Sequence, residues 1–250
     1  MARARALWTE LAGVPVGFGT PAGVAVAPGS LLCPPGWAGI VRIGDAALVT
    51  APDARTAGAL GEAVRRLSYE ELTDPVRLGK ALSGTAPVLD VLGPAALFYL
   101  DRDTYPDGNT LPPAAAPAET SDDPASYAAL LAAAGPDDAG ESGLDEITSP
   151  AFLLRDRGHD GGSDGGRGGG GDVIAAAGYV TWPRSVAHLS VLVAPHRRGR
   201  GLAGTVASAA VSHALDDGLL PQWRARPYAS RRVAARLGFR ELGAQLSVRM

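Results

Sequence analysis

An α/β (α+β) fold is predicted for this chain, because short apolar strands and amphipathic helices alternate along most of its 250 residues. The clearest strand covers residues 186–193, where apolar side chains recur at every second position. The clearest helix follows at residues 201–217, with apolar or small residues at every fourth position from Leu202 and a stop at Gly218. A chain of this length can bury one large core or two modest ones, so we expect one or two domains.

The other elements are predicted from the same periodicities and from the positions of proline and glycine. A strand or hairpin, broken at Gly93-Pro94, is expected at residues 88–100. Further strands are expected at residues 23–27, 39–43, 46–50, 152–157, 173–182, 222–226 and 239–248. Helices are expected at residues 56–67, 124–134, 137–147 and 228–237. The spacing of Trp182, Trp223 and Phe239 assigns these aromatic residues to core packing.

Two segments have the composition of linkers. Residues 101–123 are rich in Asp, Pro, Thr and Ala, and residues 158–172 are almost entirely Gly, Asp, Ser and Arg. Neither segment can bury enough apolar surface to order itself, so we expect both to be flexible. The chain is accordingly divided into a small amino-terminal α/β unit, residues 1–87, without a recognisable catalytic pattern, and a larger domain at residues 88–250.

Composition excludes several classes of protein. No apolar run reaches the roughly 18 residues of a membrane-spanning helix, so no membrane partner is expected. Thr9 and Glu10 interrupt the first apolar stretch before a signal-peptide core forms, and we therefore expect a cytoplasmic protein. The single Cys33 cannot form an internal disulfide or a cysteine-rich zinc site, and no metal is expected.

The carboxyl-terminal quarter is locally basic although the net charge of the chain is only −3. Residues 196–201 in this quarter read His-Arg-Arg-Gly-Arg-Gly and lie between the predicted strand and helix. The glycines let the backbone approach a ligand, and the amide donors of a helix start favour an anion. The arginines add charge-assisted hydrogen bonds to phosphate oxygens. The 196–201 loop thus predicts a phosphate or pyrophosphate site, with a solvated arginine-rich turn as the alternative.

Two other phosphate-binding patterns are disfavoured. Residues 199–204 have the glycine spacing of a dinucleotide-binding fingerprint, but the next predicted strand, 222–226, has no acidic residue and too little chain remains for a doubly wound sheet. The glycine-rich segment at residues 158–172 lacks the Gly-Lys-Ser/Thr ending of a P-loop.

Residues 192–203, Leu-Val-Ala-Pro-His-Arg-Arg-Gly-Arg-Gly-Leu-Ala, resemble motif A of the GCN5-related N-acetyltransferases (GNAT). Residues 229–239 resemble the motif B helix of that family, which ends in Gly-Phe. The resemblance implies a GNAT-like mixed, mostly antiparallel sheet flanked by helices, and acetyl-CoA or another acyl-CoA as co-substrate. The strand backbone near Leu192 would meet the pantetheine and the loop would wrap the pyrophosphate. The implied cofactor-binding residues are Leu192, Val193, Arg197, Arg198, Gly199, Arg200, Gly201, Leu202, Ala203, Ser230 and Arg231.

Acyl transfer to an amine requires a deprotonated amine, a polarised thioester carbonyl and a proton for the leaving thiolate. Members of the family often use a carboxylate near the motif A strand as the base. This strand has no carboxylate, so we assign His188 as the base, Ser190 as a group that orders a water, and Tyr228 as the acid. Packing, capping or backbone hydrogen bonding are the alternative roles of these three residues.

Three positions depart from the family pattern. The first loop position is His196, the Asn often found before the motif B serine is replaced by Pro227, and the position that often carries a tyrosine general acid is Ala234.

The leading hypothesis is an N-acetyltransferase acting by direct transfer on a small amine or a protein amino group; a catalytically degenerate acyl-CoA-binding module is the alternative. A nucleic-acid partner is disfavoured, since the arginines lack interleaved aromatic residues. The sequence does not specify the oligomeric state, but sheet edges in such folds often pair, so a homodimer is one alternative.

Overall fold

The computed structural model describes residues 1–101, 118–156 and 171–250. The chain forms two compact units. The first comprises Met1–Tyr99, Arg224–Arg231 and Arg240–Met250, and the second comprises Leu100–Trp223 and Arg232–Phe239. The segments expected to be flexible fall largely outside the described residues, and the division at residues 87 and 88 stays a prediction.

Eight helices and ten strands are formed by the described residues. The helices are α1 (Ala2–Leu11), α2 (Ala54–Val64), α3 (Tyr69–Leu72), α4 (Pro75–Leu82), α5 (Ala128–Ala134), α6 (Pro136–Ser142), α7 (Leu202–Asp216) and α8 (Tyr228–Arg236). The strands are β1 (Gly23–Val26), β2 (Ala38–Ile43), β3 (Ala46–Ala51), β4 (Asp90–Tyr99), β5 (Glu119–Ser121), β6 (Ala151–Arg155), β7 (Val173–Trp182), β8 (Val186–Val193), β9 (Leu220–Ala225) and β10 (Arg240–Arg249). Short 3-10 turns occur at Pro124–Tyr127, Leu144–Glu146, Pro183–Ser185 and Pro195–Arg197.

The sheet of the first unit has the strand order β1-β3-β2-β10-β4. The β1–β3 pair is parallel, and the other neighbours are antiparallel. Ile40, Val49 and Leu246 from the sheet are buried against Leu60 of α2 and Leu78 of α4. This core explains why α2 forms where its apolar spacing predicts it, with the Asp53 side chain accepting a hydrogen bond from the Thr56 amide at 2.8 Å.

Helix α1 was not predicted, and tertiary contacts account for it. Its amino-terminal cap makes no side-chain hydrogen bond, but Leu7 and Trp8 are fully buried. The indole N–H of Trp8 donates to the hydroxyl of Tyr99 at 2.7 Å. Burial raises the pKa of this Tyr99 hydroxyl. Short helices owe most of their stability to packing of this kind, which local sequence does not reveal.

The sheet of the second unit has the order β9-β8-β7-β6-β5. Strand β8 forms a continuous antiparallel ladder with β7, from Val186 opposite Trp182 to Val193 opposite Ala175. With β9 it forms a parallel ladder that ends at His188 opposite Gln222. Helix α7 packs against β7 and β8. Within the described residues, the β8–β9 ladder therefore ends at His188, before the carboxyl end of β8.

The predicted fold class is confirmed, since in each unit the strands pair mostly antiparallel and helices flank them. Strands β7 and β8 have the predicted bounds. The hairpin alternative at residues 88–100 is wrong, because β4 continues through Gly93 as one strand, with a register shift against β10. Strand β5 lies within the segment expected to be flexible. No helix of the described residues is long and apolar enough to cross a bilayer.

Candidate functional site

The 196–201 loop joins β8 to α7 and has the backbone geometry that its glycines predict. Gly199 has φ +78° and Gly201 has φ +81°, both in the left-handed region that disfavours other residues. A Cβ atom added at either glycine would have no heavy atom within 4 Å, other than those of its chain neighbours. The loop therefore presents bare backbone to open space at the start of α7.

Helix α7 directs its positive end into this space. It has 15 residues and begins at Leu202 with Gly201 as its N-cap residue, without a side-chain cap and without an acidic residue in its first turn. The first amide groups of such a helix have no intrahelical acceptor, and the aligned peptide dipoles favour a negative charge there. An anion at this position would satisfy both the donors and the dipole.

Two loop arginines are held by carboxylates from other elements of the second unit. Arg197 donates to Asp156, which directly follows β6. Arg198 donates to the Oδ2 atom of Asp138 on α6 at 2.6 Å, and its Nε atom donates to the carbonyl of Val193 at 3.3 Å. Because all four charged side chains are partly exposed, a phosphate could replace either carboxylate at small cost. Arg200 is exposed.

Of the two predicted cofactor residues of β8, Leu192 is buried and Val193 is partly buried. Leu192 is buried in a cluster with Leu130, Leu144 and Ala176. Its side chain therefore belongs to the core of the second unit. Beyond His188, the backbone of β8 on the β9 side has no ladder partner in β9 among the described residues.

His188 contacts two side chains of the second unit. Its ring is stacked on the indole of Trp182, with ring centroids 4.0 Å apart and planes at 13°. Its Nδ1 atom is hydrogen-bonded to the Oε1 atom of Gln222.

The three aromatic residues predicted for the core differ in their surroundings. Trp223 and Phe239 pack edge to face with centroids 5.8 Å apart, as expected for core residues. Trp182 is only partly buried, so its assignment to the core was wrong; the end of β7 places its ring over His188 instead.

The other two predicted catalytic residues lie in different settings. Ser190 is 2% exposed, and its hydroxyl donates to the carbonyl of Gly143 at 3.0 Å, which links β8 to the segment after α6. Tyr228 is 76% exposed at the start of α8, in the part of that helix assigned to the first unit. The structure thus brings His188 and Ser190 together on alternate positions of one strand, and it places Tyr228 in the other unit.

The motif B residues lie on the first turns of α8. Ser230 and Arg231 are partly buried, and the Arg231 amide donates to the carbonyl of Pro227 at 3.2 Å. Among the described residues, the Nε atom of Arg231 is buried without a hydrogen-bond partner, as is that of Arg197. Two residues implied for cofactor binding thus carry unused donors, although Arg5 and Arg42 of the first unit do so too.

A polar cluster at the other end of α7 was missed by sequence reasoning. The Tyr179 hydroxyl lies 2.8 Å from the Nδ1 atom of His213 and donates to the Oδ2 atom of Asp217 at 3.0 Å. Burial raises the pKa of Tyr179, and the hydrogen bond to Asp217 adds to this shift. His213 and Asp217 follow Tyr179 by 34 and 38 positions in the sequence, so no local pattern indicates their contacts with it. Groups of three or more metal-binding side chains do not occur in the described part of the chain.

The described residues form an α/β fold in which the start of α7 is suited to an anion. Helix α7 follows β8, a strand that pairs with its parallel neighbour β9 only as far as His188. Residues 168–244 match the family model described as GNAT acetyltransferase. For this part of the chain, the match confirms the resemblance to GCN5-related N-acetyltransferases that the two motifs indicate. A search of curated proteins finds no significant match.

Several solved structures are similar to this chain. A GCN5-related N-acetyltransferase-like protein from Streptococcus suis 89/1591 is 16% identical, with 86% of this chain and 84% of that chain covered and a TM-score of 0.47. A putative GNAT-family acetyltransferase from Novosphingobium aromaticivorans DSM 12444 is 21% identical, with coverages of 64% and 65% and a TM-score of 0.44. A GNAT-family acetyltransferase from Colwellia psychrerythraea is 15% identical, with 64% of this chain covered and a TM-score of 0.45; this chain spans 57% of its length.

Proposed function

We propose that the protein is an acyl-CoA-dependent N-acyltransferase that moves an acetyl group from acetyl-CoA to a primary amine by direct transfer. The observation that carries the proposal is the start of α7, where two left-handed glycines leave open space beside the first amides of a helix, which lack intrahelical acceptors. The family match over residues 168–244 supports an acyltransferase, and the acetyl group and the amine are the finer part of the proposal.

The proposed cofactor site follows from the resemblance and from the geometry of the second unit. The pyrophosphate would accept hydrogen bonds from the amides that follow Gly199 and Gly201 and from the guanidinium groups of Arg197, Arg198 and Arg200. Arg197 and Arg198 would exchange their carboxylate partners for phosphate oxygens. Pantetheine would lie along the β8 backbone beyond His188. A role of Ser230 and Arg231 beside the rest of the cofactor is implied by the resemblance alone.

The proposed transfer moves two protons. An ammonium group of the acceptor gives one proton to His188, and the amine nitrogen then attacks the thioester carbon. The new C–N bond forms, the C–S bond breaks, and the CoA thiolate takes the second proton from the amide nitrogen through Tyr228 or solvent. Ser190 would help to order a water on this path. Small amines and protein amino groups both fit this chemistry as acceptors, and we place the reaction in the cytoplasm.

A catalytically degenerate acyl-CoA-binding module is the second candidate. It is favoured by Ala234, a fully buried residue at the position where members of the family often have a tyrosine general acid. The hydroxyl of Ser190 is also already used in a structural hydrogen bond to Gly143. Such a module would keep the loop and the start of α7 and would bind acetyl-CoA without consuming it.

Calorimetric titration with acetyl-CoA tests the site. We expect micromolar binding by the wild type and no measurable binding by the double variant Arg198→Ala, Gly201→Glu. The matched control is Arg155→Ala, Gly218→Glu, which breaks a surface ion pair with Glu119 and strains a left-handed glycine at the far end of α7. A folded wild type that does not bind acetyl-CoA, or a control that loses binding equally, would overturn the proposed site.

Thiol release then separates the enzyme from the binding module. Release of free CoA above background with one member of an amine panel supports the transferase. Tight binding of acetyl-CoA with no thiol release over any amine supports the module. Mass spectrometry of the amine product, with a gain of one acetyl group, confirms that nitrogen is the acceptor. Sedimentation of the same sample with and without acetyl-CoA tests for a homodimer.

A further inference from the structure

Gln222 is a fully buried polar residue that the proposed mechanism has not used. It lies on β9 directly opposite His188 of β8, at the last pair of the parallel ladder. Its exposed fraction is 0%, and its Oε1 atom is hydrogen-bonded to the Nδ1 atom of His188. Its own Nε2 atom is buried and has no hydrogen-bond partner within the described residues. Buried amide donors are nearly always paired in proteins, so this atom calls for an acceptor.

The contact with Gln222 sets the tautomer of His188. A carboxamide oxygen only accepts hydrogen bonds, so the Nδ1 atom must carry a hydrogen. In the neutral ring, the lone pair is then on Nε2. Free histidine favours the opposite tautomer, with the hydrogen on Nε2, so the carboxamide selects the less common form. The indole of Trp182, stacked at 4.0 Å, restricts rotation of the ring out of this contact.

We infer that Gln222 is a positioning residue that holds His188 in the Nδ1–H form, with its basic Nε2 atom towards the acceptor amine, and that the Gln222 amide N–H binds an oxygen atom of the same acceptor. This inference rests on the proposed function, in which His188 takes the proton of the ammonium group. Because the carboxamide and the imidazole are in contact, an acceptor whose nitrogen meets the Nε2 atom of His188 can extend an oxygen atom towards the Gln222 amide, which is buried in the free protein. The acceptor is thus an amine that carries a carbonyl, carboxylate or hydroxyl oxygen near its nitrogen.

The tautomer can be measured in the free protein, independently of any transfer. The chain has four histidines, so a long-range ¹H–¹⁵N correlation spectrum is simple and a His188→Gln variant assigns the ring. Above the titration range of the ring, we expect the ¹⁵N shifts of a protonated Nδ1 and an unprotonated Nε2 in the wild type. In Gln222→Met, which has a similar volume but no amide, the shifts should move towards the Nε2–H form. An Nε2–H form in the wild type would overturn the inference.

Kinetics separate the two roles of the carboxamide. Gln222→Met loses both, so kcat should fall about 10²-fold, the smaller end of the effect of a general base, and KM for the amine should rise. Gln222→Glu keeps an oxygen acceptor for Nδ1–H but loses the donor, so kcat should recover to within about tenfold of the wild type while KM stays raised about fivefold, as for one lost hydrogen bond. Acetyl-CoA affinity should be unchanged in both variants.

The kinetic outcomes test the two roles of Gln222 separately: the positioning of His188 and the binding of the acceptor. Equal kcat in Gln222→Met and the wild type would contradict the positioning role, and a raised Kd for acetyl-CoA with an unchanged KM for the amine would contradict the acceptor-binding role. If the wild type transfers no acetyl group, the proposed function fails, whereas the ¹⁵N shifts still decide the tautomer. If Gln222→Met does not fold, the wild-type spectrum and the Gln222→Glu variant carry the test.

Discussion

Arg198 is hydrogen-bonded to Asp138 at 2.6 Å, across 60 positions of sequence. One end of this ion pair belongs to the 196–201 loop and the other to α6, and both side chains are about half exposed. The Asp138 carboxylate is thus paired with the guanidinium group that would bind phosphate in the proposed cofactor site. Helix α6 would thereby influence the proposed pyrophosphate site, although it contributes no residue to residues 192–203.

Asp138→Asn should raise the affinity for acetyl-CoA, because Arg198 no longer has to give up a carboxylate. Exposed ion pairs contribute about 0.2–1 kcal/mol, so we expect an increase of up to roughly fivefold in calorimetry at low salt. The effect should shrink as the salt concentration rises. Asp137→Asn, which removes the same charge from the neighbouring exposed position, is the control. An equal gain in the control would mean that only the net charge matters.

Gly178→Ala should destabilise the protein. The added Cβ atom would lie 2.7 Å from the Cδ1 atom of Ile147 and 3.1 Å from the Oγ atom of Ser149. Overpacking of this kind costs about 1–3 kcal/mol. The free energy of unfolding in urea measures the loss. Gly140→Ala on α6, where a Cβ atom meets nothing within 4 Å, should instead leave stability unchanged or slightly increased.

The Trp8–Tyr99 hydrogen bond should show coupling in a double-mutant cycle. Tyr99→Phe leaves the buried indole N–H of Trp8 without its acceptor, at a cost of about 1–3 kcal/mol. Trp8→Phe removes the donor and also creates a cavity. We expect the double variant to be less destabilised than the sum of the single variants, by urea unfolding. Strict additivity would show that the hydrogen bond contributes nothing.

Stability should fall at alkaline pH because of Cys33. Burial raises the pKa of its thiol from 9.0 to about 11, and a hydrogen bond with Thr50 opposes this shift in part. Between these two values the unfolded chain loses the thiol proton and the folded chain keeps it, so unfolding becomes easier as pH rises through this window. Cys33→Ser should show a weaker decline in denaturant midpoint from pH 8 to 11. A thiol that reacts at pH 8 as fast as glutathione would contradict the buried setting.

The elements of the second unit could be predicted because their signals are local. Alternating apolar residues mark β8, and Gly199 and Gly201 are read directly as loop positions before a helix. Pairings between distant residues could not be predicted. His188 and Gln222 are 34 positions apart, and their contact depends on the parallel register of β8 and β9, which periodicity does not specify. Helices α3 and α4 were missed despite local signals, namely the Ser68–Glu71 capping box and Asp74 before Pro75.

The early end of the β8–β9 ladder makes part of β8 behave as an edge strand inside a sheet. Amide hydrogens of residues 189–193 that face β7 are held in the ladder, whereas alternate amides on the β9 side are not held by β9. Hydrogen exchange along β8 should therefore alternate between slow and fast positions. An extended ligand with amide groups would be held by the same geometry as an added strand, with its affinity coming from the backbone and therefore insensitive to the side chains of β8.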